Sequence, residues 1–264
     1  MNSGRIPPSV YSHDFYLTCN DGFKEFSEGR RLSYIKKKEI SLLDISERMR
    51  FLDIGFGRGD ILYHCDKLGA YSYGIDYSPD AVSIAGEALK NSSKAKIIQA
   101  DCLSLPFPDG FFQRILIGDL IEHLPFEKGV VLLNEACRVL SKGGFFILHT
   151  SPNVLFMKLV YPFLIRIAGA EKRPAILKHL AIQNSVHVYE YTFFSLRKLA
   201  KKISVPCRIW MDEDLTRGGT FRHLGGLSKG QKVLLKISRI FKNPIFSPFR
   251  VVFSNDIWMK GVKA

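Results

Sequence analysis

The chain has no two cysteines at C-x-x-C spacing. Its five cysteines (Cys19, Cys65, Cys102, Cys137, Cys207) are scattered and odd in number. That argues against a cysteine-built zinc site and for free thiols in a reducing cytoplasm. The start of the chain lacks the basic head and apolar run of a signal peptide, carrying Asn2-Ser3-Gly4 and Pro7-Pro8 instead, so a cytoplasmic protein is expected. No apolar run is long enough to span a bilayer; Val154 to Gly169 is interrupted by Lys158 and Arg166. No internal repeat or low-complexity stretch is present. Acid is scarce too: 25 Asp and Glu stand against 38 Lys and Arg, a net charge of +13. Such a bias favours an anionic partner (nucleic acid, a membrane surface or a phosphorylated substrate) or simply a basic soluble surface.

What is present centres on Phe51-Leu52-Asp53-Ile54-Gly55-Phe56-Gly57-Arg58-Gly59-Asp60. An apolar run closes on an acid, three glycines follow at alternate positions, and a helical pattern begins at Ile61. This reads as a buried strand turning into a helix, with backbone bare enough for a ligand to lie against it. A dinucleotide fingerprint, G-x-G-x-x-G, would place its third glycine where Asp60 stands. An acid there would repel a pyrophosphate and offset the helix dipole. The loop therefore suits a ligand with an ammonium and a nucleoside but no phosphate.

Strand and helix patterns alternate from that point. Strands are expected at Tyr71 to Ile75, Ala95 to Gln99, Phe112 to Gly118 and Phe145 to Thr150. Ser78-Pro79 has the chemistry of a helix cap and first helical position. Glu127 to Leu140 reads as a helix and Lys142-Gly143-Gly144 as a turn. One long helix is expected from Phe23 to Leu43, others over Tyr191 to Lys202 and Ser228 to Phe241, and strands over Cys207 to Met211 and Arg250 to Lys260. The alternation implies an α/β fold with a largely parallel sheet and ligands at the strand C-termini.

Four motifs in order resemble the class I S-adenosylmethionine-dependent methyltransferases, particularly their small-molecule enzymes. They are Leu52-Asp53-Ile54-Gly55-Phe56-Gly57-Arg58-Gly59, Gly74-Ile75-Asp76-Tyr77-Ser78, Ala100-Asp101-Cys102 with Leu105-Pro106-Phe107-Pro108-Asp109-Gly110, and Arg138-Val139-Leu140-Ser141-Lys142-Gly143-Gly144. The resemblance implies a Rossmann-like, seven-stranded, largely parallel sheet with helices on both faces and a helical cap after the fifth strand. It implies one domain over 1–264: an N-terminal helical segment to 49, a cofactor core over 50–150, the cap over 151–190, and the rest of the sheet. It also implies S-adenosylmethionine as cofactor. Gly55, Phe56, Gly57 and Gly59 would lie against its methionine half, and Asp53 would face its ammonium. Asp76, with Tyr77 beside it, would accept from the ribose hydroxyls. Asp101 and Cys102 would meet the adenine, and Asp119 the cofactor from the fourth strand. Arg30, Arg31 and Tyr34 are candidates for the cofactor carboxylate or an anionic acceptor.

After the fourth strand the chain reads Gly118-Asp119-Leu120-Ile121-Glu122-His123-Leu124-Pro125, without the Asn/Asp-Pro-Pro-aromatic motif of base-amino methyltransferases. His123, beside Glu122, is a candidate general base, acceptor-orienting group or structural residue, and His149 a second base. Asp119-x-x-Glu122-His123 also resembles a motif of ubiquinone-biosynthesis O-methyltransferases that is associated with a divalent metal, although Asp119 replaces a longer glutamate and no metal is assigned. Thr150-Ser151-Pro152-Asn153, Tyr161-Pro162 and His187-Val188-Tyr189-Glu190-Tyr191 resemble bacterial glycan- or glycolipid-pathway methyltransferases. The expectation is O-methylation of a small or lipid-linked acceptor. The apolar cap with Lys158, Arg166, Lys172 and Arg173 would serve as a lid or touch an anionic membrane. RNA methylation and a catalytically inactive cofactor-binding regulator are the alternatives.

Overall fold

A computed structural model describes residues 6–18, 21–167, 174, 177, 181, 185–211 and 250–264. Seven strands form one sheet: β1 (Arg50–Ile54), β2 (Tyr71–Asp76), β3 (Ala95–Gln99), β4 (Phe112–Gly118), β5 (Leu140–Thr150), β6 (Cys207–Met211) and β7 (Ile257–Val262). Their order is β3-β2-β1-β4-β5-β7-β6. The pairs β1–β2, β1–β4, β2–β3 and β4–β5 are parallel, and only β7 runs against its neighbours. The strand order reverses between β1 and β4, so a crevice opens at their C-terminal ends, where ligands bind in open α/β sheets.

Side chains alternate across the sheet and feed two cores. Leu52, Ile54, Ile115 and Ile117 join the core under α6 (Phe126–Val139) and the helix Phe193–Ala200. Phe51, Leu116 and Ile147 join the other, under α3 (Tyr34–Leu43), α4 (Asp60–Lys67) and α5 (Pro79–Leu89). Phe51, Leu52 and Ile54 are fully buried, each stabilising the fold by roughly 1.5–3 kcal/mol. At Gly74 in β2 the packing is so close that a Cβ would stand 2.5 Å from Leu62 Cδ1 and 2.7 Å from Phe56 Cδ1. Ser78 caps α5 as expected, accepting from Ala81 N–H at 3.3 Å, with Pro79 opening the helix.

Several expected boundaries are corrected. The helix over Phe23 to Leu43 is two helices, α2 (Phe23–Ser27) and α3, because Gly29 and Arg30 both take positive φ (155° and 55°) and Ser33 starts a new cap. The Lys142–Gly144 turn is absorbed into β5, which begins at Leu140 and shifts register against β4 between Phe112 and Arg114. Arg250 to Lys260 is not one strand: a short helix, Arg250–Phe253, precedes β7. Residues 191–202 do hold a helix, Phe193–Ala200, capped by Thr192. The cap begins with α7 (Val154–Leu159) and α8 (Tyr161–Ile167). The expected helix Ser228 to Phe241, and Cys19, Lys172, Arg173 and Lys178, lie outside the described residues. Cys65, Cys102, Cys137 and Cys207 are free thiols. Among the described residues no helix is long and apolar enough to cross a membrane.

Candidate active site

A cavity opens over the C-terminal ends of β1, β2 and β4, and most of the expected site residues line it. It holds about 1710 Å³ of empty space, open mouth included.

One end is built by the glycine loop. Gly55, Gly57 and Gly59 have φ of 81°, 53° and 78°, in the left-handed region that side chains disfavour. A Cβ on Gly55 would also press on Leu120 Cδ1 at 3.1 Å. Asp76 closes β2 beneath this loop. Its Oδ2 accepts from Gly57 N–H at 3.0 Å and its Oδ1 from Ser78 N–H at 2.9 Å. Burial raises its pKa, while these N–H donors oppose the shift by favouring the anion. Each oxygen has further acceptor capacity at the cavity wall. Gly55, Phe56, Gly57, Tyr77 and Cys102 line the cavity with it. Two expected residues lie outside the lining. Gly59 is not in the lining; it caps α4 and packs on Ala85. Asp101 is exposed and outside the lining, its Oδ1 accepting from Leu103 N–H at 2.9 Å as a turn residue does.

The middle of the cavity carries buried charge that local sequence patterns did not reveal. Asp53 is 4% exposed, and α3 brings in Lys36 and Glu39, the latter 2% exposed. Burial pushes Asp53 up to about 8 and Glu39 up to about 7. Burial opposes the charge on Lys36, yet Asp60, 3.8 Å away, and Glu39 raise its pKa overall. Glu39 sits on the inward stripe Ile35–Glu39–Leu43 of α3. A carboxylate at helical spacing between two core residues was the available signal. Arg30, Arg31 and Tyr34 do not line the cavity; Arg30 lies over the Phe26 ring and Arg31 pairs with Glu28 at the surface.

At the far end, β4 runs into a single 3-10 turn, Ile121–His123. His123 Nδ1 is 2.8 Å from the Val186 carbonyl and 2.9 Å from Tyr11 Oη. A carbonyl only accepts, so Nδ1 carries the proton and Nε2 keeps the lone pair. Burial, then His187, pushes the His123 pKa down to about 4, so the ring is neutral at physiological pH. Glu122 is 1% exposed, accepts from Thr150 Oγ1 at 2.8 Å, and is pushed up to about 7 by burial and Asp119.

His149 is corrected as a base. It is 1% exposed, with Nδ1 2.9 Å from Asp119 Oδ1 and Nε2 3.3 Å from Asp256 Oδ1. Burial disfavours its charge, but the two carboxylates outweigh burial and hold its pKa well above 6.5. A protonated imidazole cannot take up a proton. Asp119 lies deep in the wall with 43% of its side chain open to the cavity. Burial would raise its carboxyl, yet His149 more than offsets this and keeps Asp119 below the usual range. Asp119 has φ 47° and pairs with His149. Donor atoms of Glu122, His123 and His187 lie within 4.8 Å of one another, as do those of Glu39, Asp119 and His149. The Asp119-x-x-Glu122-His123 pattern is therefore divided between two clusters.

A family model described as "Methyltransferase domain" matches residues 52–148. Residues 52–148 thus carry an S-adenosylmethionine-dependent methyltransferase domain. The chain is 32% identical over 109 residues to the phosphoethanolamine N-methyltransferase of Plasmodium falciparum, covering 41% of each protein. It is 33% identical over 110 residues to a sterol 4-C-methyltransferase of Caenorhabditis elegans, covering 40% of this chain and 32% of that one. It is 29% identical over 143 residues to the demethylmenaquinone methyltransferase of Staphylococcus carnosus, covering 51% and 58%. The matches thus span less than two thirds of these relatives. A methyltransferase from Archaeoglobus fulgidus shares the fold at TM-score 0.58 and 19% identity, covering 92% of this chain and 100% of that one. The geranyl diphosphate C-methyltransferase of Streptomyces coelicolor shares it at 0.59 and 13%, covering 93% and 82%.

The methyltransferase cavity fits S-adenosylmethionine chemically. A carboxylate with open acceptor capacity suits a ribose diol, and bare glycine backbone suits close approach. Buried Asp53 and Glu39 with raised pKa values suit a cationic ligand, which would favour their ionised forms.

Proposed function

We propose that the protein transfers a methyl group from S-adenosylmethionine to a hydroxyl of a small or lipid-linked acceptor. The observation that carries the donor half is Asp76, fixed under the glycine loop by Gly57 N–H and Ser78 N–H at the wall of the cavity. Its carboxylate accepts from the two ribose hydroxyls. Cys102 and Tyr77 bound the adenine side, while Asp53 and Glu39 face the ammonium and Lys36 the carboxylate.

When bound, the cofactor supplies an electrophilic methyl whose sulfur leaves as a neutral thioether. The protein's part is to orient the acceptor and take its proton. His123 serves as the base. Its Nδ1 proton is committed to the Val186 carbonyl, so Nε2 receives the acceptor's hydroxyl proton as the oxygen–methyl bond forms and the sulfur–methyl bond breaks. Tyr11 and Glu122 frame the ring. Turnover that survives chelation supports this role. Loss restored by a divalent ion would instead make Glu122, His123 and His187 metal ligands.

Small-molecule acceptors fit better than RNA, because the acceptor end is a recessed cavity lined by Tyr11 and His123 and flanked by the acids Asp119 and Glu122. Leu159 and Phe163, 62% and 52% exposed beside Lys158 and Arg166 in α7 and α8, support contact with an anionic membrane where a lipid-linked acceptor would reside. Sedimentation with phosphatidylglycerol vesicles, weakened by Phe163→Ser, tests that contact; equal recovery with neutral vesicles counts against it. Donor binding is tested by calorimetric titration with S-adenosylhomocysteine, for which one-site binding is expected.

A further inference from the structure

Residues 6–18 and 21–28 form a strap across the cavity, and Tyr11, Phe15 and Tyr16 on it supply part of the wall. One end is tied to the start of α5: Tyr77 Oη donates to Ile6 O at 2.7 Å, Ser78 Oγ to Tyr11 O at 2.9 Å, and His13 N–H to Asp80 Oδ2 at 2.8 Å. The other end is tied to the glycine loop by Arg58. Arg58, between Gly57 and Gly59, is 4% exposed. Its Nη1 donates to Tyr16 O at 2.9 Å and its Nη2 to Asp21 O at 2.6 Å. Its other edge meets Asp60, Nε to Oδ1 at 3.2 Å and Nη2 to Oδ2 at 2.6 Å.

A buried ion pair is weak evidence for stability, because desolvation offsets its Coulombic gain. What the Arg58–Asp60 pair does supply is direction. The bidentate carboxylate fixes the guanidinium plane, so the remaining N–H groups point at two strap carbonyls. Both carbonyls are backbone, and satisfying them needs the strap in this one position. That position also sets Tyr11 Oη 2.9 Å from His123 Nδ1. Asp60, the residue that made the loop unlike a dinucleotide site, thus has a task of its own.

We infer that Arg58 is a positioning residue that clasps the strap onto the glycine loop, closing the donor cavity and completing the acceptor end at Tyr11 and His123. The donor then enters before the strap closes, the acceptor end is complete only afterwards, and opening of the clasp sets the rate of product release. This rests on the reading of the cavity as a donor site.

The test compares wild type with Arg58→Met, using stopped-flow release of S-adenosylhomocysteine and trypsin cleavage at Lys24, which is exposed on α2. Arg58→Met is expected to speed release at least tenfold. It should also speed cleavage at Lys24 without speeding cleavage elsewhere, and S-adenosylhomocysteine should no longer slow it. Methylguanidinium added to Arg58→Ala should restore slow release, which a generally loosened fold would not show. If Arg58→Met does not fold, Arg58→Lys is measured instead and should release product faster than wild type. If wild type binds no S-adenosylhomocysteine, the donor reading fails, and the clasp is judged on ligand-free cleavage at Lys24 alone. A folded variant that releases product at the wild-type rate and is cut no faster at Lys24 overturns the proposal.

Discussion

Replacing Asp76 with alanine removes two acceptor oxygens from the cavity wall while leaving the strands around it untouched. In the proposed bound state the carboxylate would accept from two ribose hydroxyls, and a hydrogen bond to a charged group contributes ~1.5–3 kcal/mol. The pair is thus worth about 3–6 kcal/mol, and at ~1.4 kcal/mol per decade the donor should bind at least a hundredfold more weakly. Part of any loss has a second source, since Gly57 N–H and Ser78 N–H lose their acceptor and the loop loosens. Calorimetry with S-adenosylhomocysteine and its 2′-deoxy analogue separates the two in a double cycle. In wild type the missing hydroxyl should cost ~1.5–3 kcal/mol; in Asp76→Ala it should cost almost nothing. An unchanged affinity in the folded variant, or an equal penalty for the analogue in both proteins, refutes the ribose assignment.

Three further outcomes follow from the site and its packing. His123→Ala should lower kcat by ~10²–10⁴ with little change in donor affinity, and because the His123 pKa is pushed down to about 4, wild-type kcat/KM should show no inflection near pH 6.5 from this group. Glu39 has a folded pKa of about 7 against 4.5 for the free group; the folded state therefore binds more protons between those values, and its burial destabilises the ligand-free fold increasingly as pH rises through that window. Glu39→Gln should accordingly raise the melting temperature of ligand-free protein at pH 8 more than at pH 5, while weakening donor binding; an equal change at both pH values would contradict the buried carboxyl. Gly74→Ala should destabilise by ~1–3 kcal/mol in denaturant titration, since its Cβ would collide with Leu62 and Phe56, and a neutral result would mean that the α4–β2 contact is looser than described.

How far the sequence carried the account depended on whether a feature was local. The glycine loop, Asp76 at the end of β2 and Ser78-Pro79 at the start of α5 are each defined within a few residues, where capping and φ preference act directly. Helical periodicity carried one helix across Phe23 to Leu43, but Gly29 and Arg30 at positive φ break it, and the break lets the strap fold back over the cavity. Asp101 matched a motif by position, yet its carboxylate is used in its own turn. Tyr11, Lys36 and Val186 reach the site from elements far apart in the chain, so no spacing could announce them, whereas Glu39 was signalled only by its place on the inward stripe of α3. His149 illustrates a different limit. Its place at the end of β5 was legible, but its protonation depends on Asp119 and Asp256, the second lying 107 residues further along.

The central claim is that this cavity passes a methyl group from S-adenosylmethionine to a small-molecule hydroxyl. It is tested most directly by incubating the protein with methyl-labelled S-adenosylmethionine and separate lipid, aqueous and RNA fractions, then identifying the labelled product. The account predicts label on the oxygen of a small or lipid-linked molecule, lost with Asp76→Ala and strongly reduced with His123→Ala. Label in the RNA fraction, or no transfer to any fraction by protein that binds the donor, would contradict it.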